Sequence, residues 1–146
     1  MIAAIERGTD AVIGLTVSSF VCLSLEPPLV MFAIQHDANS YPAIVASKCF
    51  GVSVLNTHQS GIARRFAIKG LDKAADTAIG RRVELPVPLV ADSLVQVECA
   101  TSQIIVGGDH AIVVGRVEAM RVQQGEPLLY FGRAFGAFTP FAAQGG

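Results

Sequence analysis

Two long alternating runs, "LVQVECATSQIIV" (residues 94–106) and "HAIVVGRVEAMRV" (110–122), are separated only by "GGD". So short a turn between such long runs leaves one economical arrangement, an antiparallel ribbon. In the first run Val95, Val97, Cys99 and Thr101 fall on one face and Gln96, Glu98, Ala100 and Ser102 on the other, the pattern of a half-buried strand. Gly115 interrupts the second run, where a bulge or a close backbone approach is expected. A ribbon of this length with apolar edges needs further strands beside it, which dictates a mainly β architecture.

The rest of the chain supplies those strands. "MIAAIE" and "AVIGLTVSS" read as a hairpin turned by "RGTD", and "PLVMFAIQ", "FGVSVLN" and "LLYFGRAFGAF" read as one strand each. Two short helices interrupt them. "NSYPAIVAS" offers Asn39 and Ser40 as caps and Pro42 in the first turn. "THQSGIARRFAIKG" offers Thr57 as cap and Gly70 as stop, with Ile62, Ala63, Phe66 and Ala67 on one face and Arg64 and Arg65 directed elsewhere. "LDKAADTAIGRRVELPVPLVADS" has no clean period and reads as a long connection stiffened by "PVP"; residues 139–146 read as a frayed tail. The length, 146 residues, suits one domain over 1–146. The expected fold is a small antiparallel β-barrel, closed or nearly closed, with two short helices, because closure removes exposed sheet edges.

Composition narrows the function classes. Apolar residues make up 51% and charged residues 16%, a sparse polar supply that points to a partner chain and hence a homodimer. The longest apolar runs, such as "LVMFAI", fall well short of the roughly 20 residues of a membrane helix. The start "MIAAIERGTD" lacks the features of a secretory leader, so the expectation is a cytoplasmic protein with no membrane partner. A net charge of −1 without a basic block argues against nucleic acid. Cys22, Cys49 and Cys99 are widely spaced, with no C-x-x-C, and read as buried free thiols rather than a metal centre.

Residues 14–34, "GLTVSSFVCLSLEPPLVMFAI", place Thr16, Ser18, Ser19 and Ser24 where a plain core strand would carry Val or Ile. Such residues either fill the crowded corners of a barrel or let a planar ligand lie against the backbone, with hydroxyls and N–H groups donating to its edge and to a phosphate. Asn39 and Ser40 open a helix whose free N–H groups suit an anion, and Arg64 and Arg65 carry the fork of donors that suits phosphate oxygens. His110, alone at a strand start, reads either as a surface residue or as a functional one.

Residues 14–34, followed by "NSYPAIVASKCFGVSVLNTHQSGIARRFA", "GGDHAIVVGRV" and "PLLYFGRAF", resemble the flavin reductase-like family with its FMN-binding split barrel, over about residues 11–135. The resemblance implies an NAD(P)H:flavin oxidoreductase that passes hydride from NADH or NADPH to FMN or FAD and supplies a monooxygenase component, with paired barrels. It implies that Thr16, Val17, Ser18 and Ser19 line the flavin, that Ser24 and Leu25 continue that wall, and that Asn39 and Ser40 approach the phosphate end. Ala63, Arg64 and Phe66 would close the pocket, with Arg64 favoured over Arg65 as the phosphate contact. His110 would stand near the nicotinamide, and Tyr130, Gly132, Arg133 and Phe135 would flank the cofactor. The chain departs from the family at its start: members usually carry a helix and a "TGV"-like segment before the first strand, so the N-terminus reads as shortened. The rival reading is a non-catalytic flavin-binding or storage protein on the same barrel, and a third is a plain structural barrel.

Overall fold

The computed structural model describes residues 1–6, 8–9, 11–70, 77–81 and 84–141. In chain order its elements are β1 (Ile2–Ile5), β2 (Val12–Leu15), β3 (Val21–Ser24), β4 (Leu29–Gln35), α1 (Tyr41–Ala46), β5 (Cys49–Val54), a 3-10 turn (Thr57–Gln59) and α2 (Ser60–Ala67). There follow β6 (Ile79–Arg81), β7 (Pro88–Val90), β8 (Val95–Gly107), β9 (His110–Val122), β10 (Leu128–Phe131) and β11 (Ala134–Ala137). Seven strands form one antiparallel sheet in the order β2-β1-β5-β8-β9-β4-β3, and β6-β7 and β10-β11 are separate two-stranded sheets.

The expected ribbon is present, with β8 and β9 paired from Val95↔Val122 to Gly107↔His110. The register shifts between Thr101 and Gln103, opposite Gly115, so the bulge is there. The close approach is there too: a Cβ at Gly115 would strike the Phe50 ring and lie 3.0 Å from Cys99 Cβ.

The sheet order fixes its curvature. β2 and β3 are the two edges, yet only residues 16–20 join them. A flat sheet would set its edges six inter-strand gaps of about 4.8 Å apart, about 29 Å. The six peptide steps from Leu15 to Val21 span about 22 Å at full stretch, at roughly 3.6 Å each. The sheet must therefore curl until the edges approach, giving a barrel split along the β2/β3 seam.

Inside lies a cluster that includes Ile2, Phe32, Ile34, Ile44, Phe50, Val52 and Val113, with Val17 and Phe20 of the seam segment packed on it. A second cluster, with Met1, Ala3, Leu55, Ala63, Phe66 and Val90, lies where α2 covers the outer face of β1. Gly14 permits that covering. A Cβ there would stand 2.7 Å from the Ile2 carbonyl oxygen and 2.9 Å from Phe66 Cε1. No helix among the described residues is long and apolar enough to cross a membrane.

Several expectations are corrected. Gln96 and Glu98 do not face solvent, because the segment around β7 covers β8: Gln96 Nε2 donates to the Val90 carbonyl at 2.7 Å and Glu98 Oε2 accepts from Leu85 N–H at 2.8 Å. The connection over residues 71–93 thus includes β6 and β7, while 71–76 and 82–83 lie outside the described residues. "LLYFGRAFGAF" is a hairpin rather than one strand, since Gly132 and Arg133, at φ 57° and 64°, form a turn with two left-handed residues. Asn56, not Thr57, caps the turn before α2: its Oδ1 accepts from His58 N–H at 2.9 Å, and Gln59 Oε1 accepts from Asn56 N–H at 3.1 Å. Of the three thiols only Cys99 is buried, and Cys22 is exposed on the edge strand β3. Of the tail, residues 142–146 lie outside the described residues.

Candidate functional site

Thr16 starts the seam segment and is tied twice to α2. Its N–H donates to the Phe66 carbonyl at 3.3 Å and its hydroxyl to the Ala63 carbonyl at 2.8 Å. Ser19 is tied to β4: its hydroxyl donates to the Ala33 carbonyl at 3.2 Å and accepts from Ala33 N–H at 3.0 Å, two residues beyond the Val21↔Met31 pair on each strand. Two of the hydroxyls in the motif therefore anchor the ends of the seam segment, one to α2 and one to β4, because a short side chain can bond backbone groups that lack a ladder partner there.

Between the seam segment, β5, α2 and the β10–β11 hairpin lies a cavity of about 780 Å³. Thr16, Val17 and Ser18 form one wall, Val52 to Leu55 another, Ala63, Arg64, Ala67 and Ile68 a third, and Leu128, Tyr130, Arg133 and Phe135 of the hairpin the fourth. Its size falls within the range of about 300–1,000 Å³ usual for small-molecule sites. Two arginines and no carboxylate stand among its described lining residues, so the site favours an anion although the chain carries a net −1. The Arg64 guanidinium carbon lies 5.1 Å from the centre of the Phe135 ring, a cation–π contact across the cavity's rim.

The structure thus brings together Thr16, Val17, Ser18, Ala63, Arg64, Tyr130 and Arg133. Arg65, half-buried on the same helix, is not among the lining residues. Phe66 lies beneath the site, 1% exposed, and fastens α2 to the sheet. Ser24 ends β3, and Leu25, 88% exposed, opens the turn that contains the cis Glu26–Pro27 bond; neither lines the cavity.

Asn39, Ser40 and His110 are also apart from the cavity. Ser40 is buried at the start of α1 and its carbonyl accepts from Ile44 N–H at 3.0 Å, with no side-chain capping bond. His36 links this end to the β8–β9 turn, donating its N–H to the Asp109 carbonyl at 3.0 Å and setting its ring edge-on to Tyr41 at 5.1 Å. In that turn His110 Nδ1 is 2.7 Å from Asp109 Oδ1, and this hydrogen bond and the imidazole's charge hold the Asp109 carboxyl below the usual carboxylate range. No cluster of His, Cys, Asp or Glu among the described residues could hold a metal ion.

Residues 52–55, Ile68, Leu128 and Leu129 line the cavity without having stood out in the sequence. Apart from Ser53, whose hydroxyl accepts from Val90 N–H at 3.0 Å, they are apolar, and only the packing of α2 and the hairpin makes them a wall.

Comparison with known proteins agrees with this architecture. A family model described as "Flavin reductase like domain" matches residues 1–139. An FMN reductase (NADH) of Agrobacterium fabrum is 34% identical over 87% of this chain and 72% of its own length. The reductase subunit of a flavin-dependent monooxygenase of Mycobacterium tuberculosis is 38% identical over 84% of this chain and 66% of its own. An NADH:FAD oxidoreductase of Streptomyces globisporus, solved in complex with NAD and FAD fragments, superposes with a TM-score of 0.87 at 32% identity, covering 97% of this chain and 86% of that one.

Proposed function

The chain belongs to the flavin reductase-like family, and on that footing we propose that it is an NADH-dependent flavin reductase whose flavin occupies the cavity beside residues 16–18. One observation carries the reading: a cavity of about 780 Å³ with an apolar interior, two arginines and no carboxylate among its described lining residues. That lining suits a planar ring system with an anionic tail. A bound flavin supplies the hydride acceptor at N5 for the nicotinamide C4 donor, and such a transfer needs alignment rather than a nucleophile or a metal.

The chain's own residues provide the alignment. Val17, Val52 and Leu55 keep water from the ring, and Arg64 and Arg133 offer charge-assisted hydrogen bonds to the phosphate. Thr16 and Ser19 hold the wall rigid through their bonds to Ala63 and Ala33. Ser24, Leu25, Asn39, Ser40 and His110 lie outside this cavity, so a role for them is a proposal that rests on the family resemblance alone; His110 is placed there on the nicotinamide side.

The relatives act on FMN or FAD and include a monooxygenase reductase subunit, which supports delivery of reduced flavin to a monooxygenase partner. The decisive experiment is steady-state NADH consumption with FMN or FAD added. Turnover with either flavin is the expected result; flavin binding without NADH consumption would favour the storage reading instead.

We infer a homodimer from large exposed side chains, including Leu25 at 88%, Val106 at 77% and Phe131 at 90%. Light scattering should give twice the 15.3 kDa chain mass. A flavin-bound monomer would remove the inference.

A further inference from the structure

The β10–β11 hairpin forms a wall of the cavity, yet among the described residues it joins no larger sheet. Among the described residues its backbone ties lie at its base: Thr57 N–H donates to the Glu126 carbonyl at 3.1 Å, Leu128 N–H to the Leu55 carbonyl at 3.0 Å, and Asn56 bridges Pro127. Beyond that base the strands have four residues each, and the tip at Phe131 is 90% exposed. A two-stranded ribbon of this length is marginal on its own. What holds its far strand down is Phe135, packed on the cluster around Phe66, flanked by Tyr130 at 5.1 Å and covered by the Arg64 guanidinium at 5.1 Å.

Arg64 therefore has two partners to serve. A guanidinium attracts an aromatic ring through its planar face and an oxyanion through the N–H groups at its edge, and the two contacts are geometrically compatible. We propose that Arg64 and Phe135 form a latch that couples a phosphate in the cavity to closure of the β10–β11 hairpin, which is the wall that moves when flavin enters and leaves. Phe135 is then a positioning residue acting through Arg64. The inference rests on the flavin reading above: an anion at the guanidinium edge fixes Arg64 over Phe135, and a flavin without phosphate leaves the latch as it is in the free protein.

Native-state hydrogen exchange together with flavin-release kinetics tests this. Without ligand, Phe135→Leu should speed exchange of the amides in 128–137 by about two- to fivefold, the measure of one exposed cation–π contact, with the β8–β9 amides unchanged. Arg64→Lys keeps the charge but loses the planar face, and should loosen the hairpin similarly while retaining a preference for FMN over riboflavin. In the wild type, FMN at saturation should slow hairpin exchange more than riboflavin does. FMN should leave Phe135→Leu about two- to fivefold faster. Equal hairpin exchange in all three chains, or equal protection by FMN and riboflavin, would overturn the latch. If the wild type binds neither flavin, the flavin reading fails and the coupling with it, while the ligand-free comparison still reports whether the Arg64–Phe135 contact holds the hairpin.

Discussion

Gly14→Ala tests how the cavity is built, because the site depends on how closely α2 approaches β1 and β2. The added methyl would lie 2.7 Å from the Ile2 carbonyl oxygen, 2.9 Å from Phe66 Cε1 and 3.1 Å from Ala3 Cβ. The first contact is with sheet backbone, which cannot step aside, and the second is with a ring that is 1% exposed. Overpacking of this kind costs about 1–3 kcal/mol. Two contacts below 3.0 Å place this site in the upper half of that range, about 2–3 kcal/mol, and alanine recovers about 0.5–1 kcal/mol of the entropic cost of glycine inside a strand, so a net loss of about 1–2.5 kcal/mol is expected. Urea unfolding should show a lower midpoint at unchanged m, and the melting temperature should fall by roughly 3–8 °C. Part of the strain lies between β2 and α2, through Phe66, so α2 should shift outward, carrying Ala63 and Arg64 with it and weakening flavin affinity. Adding Phe66→Leu to Gly14→Ala should cost less than the two separate losses together, because a smaller side chain relieves part of the clash. A Gly14→Ala protein as stable as wild type would refute the close approach and the account of how α2 is positioned.

Other perturbations address the site and the core separately. Arg64→Ala should weaken FMN about tenfold to a hundredfold and riboflavin much less, measured by fluorescence quenching; equal losses would direct attention to Arg133 and Arg65. His110→Ala should slow single-turnover reduction of bound flavin by NADH while leaving flavin affinity nearly unchanged, whereas a loss of thermal stability with an unchanged rate would make the histidine structural. The Cys99 thiol is pushed up from 9.0 to about 12, first by burial and then by Glu118 and Glu98. Its contribution to stability is complete below pH 9 and is lost as the unfolded thiol ionises above it, by about 1.4 kcal/mol per pH unit up to the folded value. The stability difference between wild type and Cys99→Val should therefore change with pH only above about 9, and a flat difference would refute the burial argument.

The long ribbon, the first hairpin, the two helices and the seam motif were legible in the sequence because each is written locally, in a period, a cap or a turn. The family resemblance tied Thr16, Val17, Ser18 and Arg64 together before any geometry existed. Local patterns do not report what covers a strand from outside. Gln96 and Glu98 alternate as solvent-facing residues should, and only β7 and the Leu85 segment, brought over them by a connection without a period, turn them into buried hydrogen-bonding groups. The final hairpin was hidden for a related reason, since Gly132-Arg133 is an unusual pair for two left-handed positions and the flanking apolar run reads on without a break. Above all, chemistry alone could not say which hydroxyl does what. Thr16 and Ser19 have the same donors and acceptors as Ser18, but the first two anchor the five-residue segment that joins the sheet edges, because its course past α2 and β4 brings those side chains to Ala63 and Ala33. Ser18 is left in the cavity wall by the same course, set by the curvature of the whole sheet, which no short stretch of sequence contains.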